Sequence, residues 1–335
     1  MRTTTPLTRR HSVLRRLRRA AYVLLACAAL CACGDGGGTA SGPGGNGDPE
    51  PPTPPSGNPV ADAYAALVRA DVDALPAVIA ALDDAVARDP QDGVSAFYAG
   101  TMRLWRLTQL RGAPQPDLVE MAHEAQAMLE HLETARALRP QSEHAAAFLG
   151  VAQVTVGSYV GDESRVEYGR AVLADAVPLH PVYVNGVRAI TLGALPRSHP
   201  AFADAVAAME ATIEGCGLVA SGEDGLGFVH PEGTQPSARR MCNNLGVVAH
   251  VWEGILLTFG DIAVKQGDAR RARALYASAR SAPNSDTWTL RELLDERIAQ
   301  ADARAALYLD DDPSNDPKTW MEGDKICTGC HASER

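Results

Sequence analysis

Residues 256–284 read LLTFGDIAVKQGDARRARALYASARSAPN. Apolar residues recur at three- and four-residue spacing on both sides of Gly267-Asp268, so the stretch predicts two amphipathic helices joined by a tight turn. Pro283 then closes the second helix. The rest of the region from 59 to 309 has the same character. It is rich in alanine and leucine, lacks long β-branched runs, and carries helical spacing in DALPAVIAALDDAVARD and EMAHEAQAMLEHLETARAL.

The second half of the hairpin recurs along the chain. LDDAVARDP ends at Pro90, LETARALRP at Pro140, LADAVPLHP at Pro181 and YASARSAP at Pro283. Each has a large apolar residue, an alanine three positions on, and a closing proline. After the first two prolines the chain resumes as QDGVSAFYAG and QSEHAAAFLG. Self-similarity of this kind is the mark of a stacked array. The prolines stand 50, 41 and 102 residues apart, so the array is irregular and carries insertions.

These features resemble the tetratricopeptide repeat. The resemblance puts Gly260 where two helices pack closely and Gly267-Asp268 at the turn between them. It puts Ala272, Tyr276 and Ala279 at small, large and small positions of the second helix. The other three units match mainly in their second helix. The chain is similar to the tetratricopeptide-like solenoids of bacterial envelope lipoproteins, over about two thirds of its mature length. The implied fold is all-α, a degenerate array of helical hairpins (an α-solenoid) over 59–309. Such arrays offer a concave face to peptide or protein partners, and few are enzymes.

Residues 1–32 contain seven arginines and no acid, and lead into the apolar run AAYVLLACAALCAC. Basic, then apolar, then small residues at a cysteine make an export signal, and the run is short for a bilayer-spanning helix. Its end resembles a lipobox, with Leu30 three residues before Cys33 and Ala32 directly before it. The resemblance implies lipidation of Cys33, with Cys31 and Cys27 as poorer alternatives and an ordinary cleaved signal as the plainer one. Residues 33–58 are Gly- and Pro-rich with almost nothing apolar, a disordered tether that reaches ~25–30 Å from its anchor. The expected location is the envelope of a Gram-negative-type bacterium, facing the periplasm, at the outer membrane in preference to the inner.

The whole chain carries −10, from 31 basic and 41 acidic residues. Without the seven leader arginines the balance is 24 minus 41, or −17. That speaks against nucleic acid as a partner, which rewards a basic face. A Gly-rich insertion, EGCGLVASGEDGLGFVHPEGTQPSARRMC, spans 214–242. In an exported chain its Cys216 and Cys242 are expected to pair, stabilising by ~3 kcal/mol in the chain-entropy picture. His230 and Met241 lie in the insertion and His250 follows it in VVAHVWEG; all three are candidate metal ligands.

Near the C-terminus, residues 325–331 read KICTGCH. Two cysteines three positions apart with a histidine directly after are the attachment signature of a c-type haem. Cys327 and Cys330 would form the thioethers and His331 the proximal iron ligand. Export matters, because such haems are attached outside the cytoplasmic membrane. The motif resembles cytochromes c over these seven residues only, and too little chain follows for later helices to wrap the haem. The second axial ligand is then Met241, His230, His250 or Met321, or the sixth position is open, or another protein fills it. A Cys327–Cys330 disulfide and a zinc site are the alternatives, and a structural zinc needs ligands that are not nearby in sequence.

Residues 310–335 form the tail, and its part before the motif, 310–324, reads as an acidic, proline-containing, partly ordered linker. Trp320 and Met321 are its only large apolar side chains near the motif, and read either as docking residues or as simply exposed. ERIAQADAR, 296–304, reads as a solvated helix face. Glu120 and His123 have ligand spacing on a helix but lack the second such pair that a di-metal bundle needs. No phosphate-binding loop, nucleophile elbow or HExxH motif occurs. Three functions follow in order: an electron-transfer lipoprotein with covalent haem c and a protein partner; a haem-free scaffold lipoprotein whose tail cysteines form a disulfide; and an enzyme with an open haem position.

Overall fold

The computed structural model describes residues 56–221, 227–229, 242, 250–282, 285–310 and 312–322. Eleven α-helices are found among them. They run α1 Pro59–Arg69, α2 Leu75–Arg88, α3 Gly93–Gly112, α4 Leu118–Leu138, α5 Glu143–Val160 and α6 Glu163–Ala176. The series continues with α7 Pro181–Gly193, α8 Phe202–Gly215, α9 Val251–Gln266, α10 Ala269–Arg280 and α11 Arg291–Leu309. Consecutive helices pair as hairpins: α1 with α2, α3 with α4, α5 with α6, α7 with α8 and α9 with α10. α11 covers the last hairpin by packing on both α9 and α10. The first helices also meet from unit to unit, α3 on α5, α5 on α7 and α7 on α9, so the architecture is a helical array.

Local chemistry sets the helix boundaries. Asn58, Asp92, Asp117, Ser142, Asp162 and Asp268 each accept from backbone N–H groups of the first turn that follows. Such caps are worth about 1 kcal/mol apiece. α5 ends at Gly161 (φ 75°) and α9 at Gly267 (φ 95°), in the left-handed conformation that closes a helix and is free of penalty only for glycine.

What locks three of the five hairpins, α3/α4, α5/α6 and α9/α10, is a large side chain seated on a glycine of the facing helix. A Cβ on Gly100 would lie 2.5 Å from Leu132 Cγ, one on Gly150 2.5 Å from Leu173 Cγ, and one on Gly260 2.1 Å from Tyr276 Cε1. Leu132, Leu173 and Tyr276 are the large residues of the repeating pattern, and all three are buried. The alanines three positions on, Ala135, Ala176 and Ala279, are fully buried as well. The repeat in the sequence is thus the trace of one steric device used three times.

Two features differ from expectation. The 102-residue gap before Pro283 contains a further hairpin, α7/α8. It escaped the proline pattern because α8 ends at Gly215-Cys216, where no proline follows. The chain is all-α as expected, and the insertion adds one small unexpected feature, a two-stranded antiparallel ribbon, β1 Val219–Ser221 with β2 Gly227–Val229, which pairs Val219 with Val229. No described helix is long and apolar enough to cross a membrane.

The first helices α5 and α9 are buried on nearly every side. α9 is buried from Val251 through Lys265, and α5 from Ala145 through Thr155. An ordinary surface helix would show a stripe instead. α7 and α9 are drawn together across the insertion. The Lys265 ammonium donates to the carbonyls of Gly193 (2.9 Å) and Leu195 (3.1 Å), satisfying the C-terminal end of α7.

The glycine seats predict an inverted substitution effect. Gly260→Ala should destabilise by about 1–3 kcal/mol because the new methyl strikes the Tyr276 ring, despite alanine's better helix propensity. Gly112→Ala, with nothing within 4 Å, should be neutral or stabilising by no more than about 1 kcal/mol. Urea melts of both variants decide this.

Candidate functional site

The site begins at an acid inside an apolar helix. Asp261, in the middle of α9, is almost completely buried. Its Oδ1 accepts from the Tyr276 hydroxyl of α10 at 2.7 Å. Arg297 Nε and Arg304 Nη2 of α11 lie 3.4 and 3.8 Å from the same oxygen. Both arginines are buried, so their charge needs this carboxylate. This corrects the reading of 296–304 as a solvated face: Arg297 and Arg304, seven residues and two turns apart, point inward together.

The remaining oxygen of Asp261 faces the tail. Oδ2 accepts from the backbone N–H of Trp320 at 2.8 Å. One turn away on α9, Thr258 accepts from the Trp320 indole N–H at 2.7 Å. The arginines complete the grip, Arg297 donating to the Lys318 carbonyl at 3.0 Å and Arg304 at 2.7 Å. The Tyr308 hydroxyl donates to the Pro317 carbonyl. Trp320 and Met321 are 5% and 3% exposed, which decides between docking and exposure. The segment 317–321 is therefore fastened along α9 and α11 by three backbone groups and an indole.

Burial comes first, and the Asp261 carboxylate second, in pushing the Tyr276 phenol well above the ordinary tyrosine range. Ionising Tyr276 would set a second negative charge beside Asp261 inside the fold.

A second group sits at the other end of α9. His250 and Glu253 are both fully buried, with Nδ1 3.5 Å from Oε1. The imidazole stacks on Trp288, ring centroids 6.3 Å apart and planes at 27°. His250 Nε2 and Glu253 Oε2 have no hydrogen-bond partner among the described residues.

Of the residues singled out in the sequence, Met321 and His250 are thus placed on or against α9. Cys216 and Cys242 are brought to disulfide distance, with Cα atoms 5.5 Å apart. Cys33, His230, Met241, Cys327, Cys330 and His331 lie outside the described residues. Glu120 pairs with Arg106 at 2.8 Å, and His123 is exposed. No group of three or more His, Cys, Asp or Glu side chains with metal-binding geometry occurs among the described residues.

Sequence reasoning passed over Asp261, Arg297, Arg304, Thr258 and Glu253. A signal was present for Asp261 and Glu253, as acids inside the otherwise apolar VWEGILLTFGDIAV. Comparison of the chain with protein-family models, curated proteins and solved structures finds no match.

Two predictions test the anchor. Asp261→Ala leaves two buried guanidinium groups unpaired and should cost about 3–5 kcal/mol. The milder Asp261→Asn should stay folded and expose the Lys318–Thr319 bond to trypsin, a cut the parent chain resists; mass spectrometry of the fragments reads the difference. The second concerns alkaline pH. A phenol raised in the folded state contributes stability that is intact below its unfolded value, about pH 10, and is lost as pH rises beyond it. Tyr276→Phe should therefore be less stable than the parent at pH 7, by about 1 kcal/mol, with the gap narrowing above pH 10 in paired urea melts.

Proposed function

We propose that the chain is an envelope lipoprotein that carries a covalently attached c-type haem on a tetratricopeptide-like scaffold and exchanges electrons with a protein partner. The observation that carries this reading is the anchor at Asp261, which fastens the chain immediately before KICTGCH. A linker that merely trailed from the array would have no need of a buried carboxylate, two buried arginines and an indole. Cys327 is five residues beyond Glu322, so covalent length alone keeps it within about 18 Å of the anchor.

Among the described residues, His250 and Met321 are the named candidates for the far side of the iron; both are buried, and no group of three or more potential ligands is gathered there. In this reading Cys327 and Cys330 hold the haem through thioethers, and His331 is the proximal ligand. The group, when bound, supplies a one-electron carrier whose potential depends on its axial ligands and burial. The protein's part is placement. Asp261, Arg297 and Arg304 fix the approach of the tail, and Thr258 orients Trp320.

The seating of Leu132, Leu173 and Tyr276 on glycines, and the presence of α11 as a covering helix, support the tetratricopeptide-like description of the hairpins. We place the partner on the concave side of the array. Because α5 and α9 expose so little surface, the partner would meet that side near the anchored tail rather than along an open groove. Lipidation at Cys33 and the tether to residue 58 would hold the domain near a membrane, facing the periplasm.

The test is expression of the exported chain together with a cytochrome c maturation system, followed by haem staining on a denaturing gel and intact mass. A covalent adduct lost in Cys327→Ala and Cys330→Ala supports the reading. A chain that emerges without haem, with Cys327 and Cys330 oxidised to each other, supports the scaffold reading instead.

A further inference from the structure

The segment that α9 and α11 hold has the form of a bound peptide. Residues 316–319 adopt neither helix nor strand, and Trp320–Glu322 make a single 3-10 turn. The hold is made largely through backbone groups. The Pro317 carbonyl accepts from Tyr308, the Lys318 carbonyl accepts from Arg297 and Arg304, and the Trp320 N–H donates to Asp261. One side chain adds identity, since the buried Trp320 indole donates to Thr258 at 2.7 Å. Backbone hydrogen bonds with a buried aromatic anchor are how extended peptides are recognised; the bonds give affinity and the anchor gives specificity. None of these contacts requires the seat and the segment to belong to one chain.

The stretch that joins them has the make-up of a hinge. Tyr308 stands nine residues before Pro317, so the chain leaves α11, reverses and returns to the helix it has just left. Asp310 accepts from the Asp312 N–H (2.9 Å) and from Asn315 Nδ2 (2.8 Å), and Asp312 accepts from the Ser314 N–H (3.0 Å). These bonds lie within the turn itself. Like charges gather there as well. Burial, and then the Asp310 and Asp312 carboxylates, hold the Asp316 carboxyl above the ordinary range, against the pull of Lys265 and Arg197. Opening the turn moves these acids apart.

Reach and surface point to the occupant. Leu309 and Pro317 are eight residues apart, and stretched out they can stand about 28 Å from each other. That length carries residues 317–321 clear of their own seat. Beside the hinge, Leu307 and Leu309 are 37% and 48% exposed, an apolar edge at the end of the array where a second chain would come to lie. The one segment shown to fit the seat is carried by every copy of this chain.

We propose that the seat on α9 and α11 is a peptide-recognition site, and that two copies of the chain exchange residues 317–321 between their seats by opening the turn between Leu309 and Pro317. The exchanged pair keeps the hydrogen bonds of the seat. The balance is set by release of the turn against the entropy of association. In a single chain the tail competes for its own seat at an effective concentration of about a millimolar, so exchange belongs to crowded copies. The inference stands whether or not the chain carries haem.

The experiment divides the two halves of the site between two full-length chains. Asp261→Asn weakens the seat and keeps the segment. Trp320→Ala keeps the seat and removes the anchor of the segment. Mixed together, they should form a one-to-one complex in sedimentation velocity that neither forms alone. In the complex, trypsin should cut the Lys318–Thr319 bond of the Asp261→Asn chain about tenfold more slowly, with fragment masses telling the two chains apart. The parent chain, offered in place of Trp320→Ala, should protect that bond about tenfold less, because its own tail fills the seat. Trp320→Phe, which keeps a ring and gives up the indole bond, is the second seat donor should Trp320→Ala not fold. A mixture that sediments as two monomers, with cleavage unchanged, overturns the proposal. A complex that leaves the Lys318–Thr319 bond as exposed as before places the contact elsewhere and overturns it too.

Discussion

A single buried carboxylate organises the C-terminal end of this molecule. Asp261 collects the hydroxyl of α10, two guanidinium groups of α11 and the backbone of the tail. Moved out of water, a carboxylate and two arginines are costly, and their mutual attraction offsets that cost only when the remaining donors are satisfied. Here the tail satisfies them in part: Lys318 gives its carbonyl to both arginines, while Arg297 Nε and Arg304 Nε have no hydrogen-bond partner among the described residues. The tail thus adds an acceptor to a cluster built by the array. A well-packed apolar cluster could supply comparable stability, but it would not specify where the backbone of residues 317–321 must lie. Directed hydrogen bonds do.

The cluster works only because the array beneath it is stiff. The seats of Leu132, Leu173 and Tyr276 on glycines bring paired helices to backbone contact, and the same tyrosine that fills Gly260 sends its hydroxyl to Asp261. Repeat packing and tail anchoring therefore share a residue. Lys265, four residues past Asp261, ties α9 back to α7. α9 is in consequence the element on which the last hairpin, the preceding unit, the covering helix and the tail all converge. His250 and Glu253, at its beginning, lie on the most constrained helix of the fold.

Much of this was readable from the residues. The hairpins announced themselves through closing prolines and the recurring large residue followed by alanine. Those signals are local, and local signals survive in a single sequence. The α7/α8 hairpin was missed because Gly215-Cys216 ends it without a proline. Arg297 and Arg304 were misread because seven-residue spacing of arginine on a polar helix is what a solvated face also produces; only a buried acid on another helix, 36 residues before the first of them, gives them a reason to turn inward. His250 could be named as a candidate from its type, but its burial, its carboxylate and its unpartnered nitrogen are properties of tertiary packing. The motif that started the functional argument, KICTGCH, was legible without any structure, whereas the anchor that gives it a place was not.

The account turns on whether the tail is fastened to α9, and the most direct measurement is hydrogen exchange at one amide. The backbone N–H of Trp320 is bonded to Asp261 inside the fold. It should exchange slowly, with an opening free energy close to that of the amides of α9 and α10, because it cannot be released without disrupting the cluster. Exchange at the rate of an unstructured peptide, while α9 and α10 remain protected, would contradict the account.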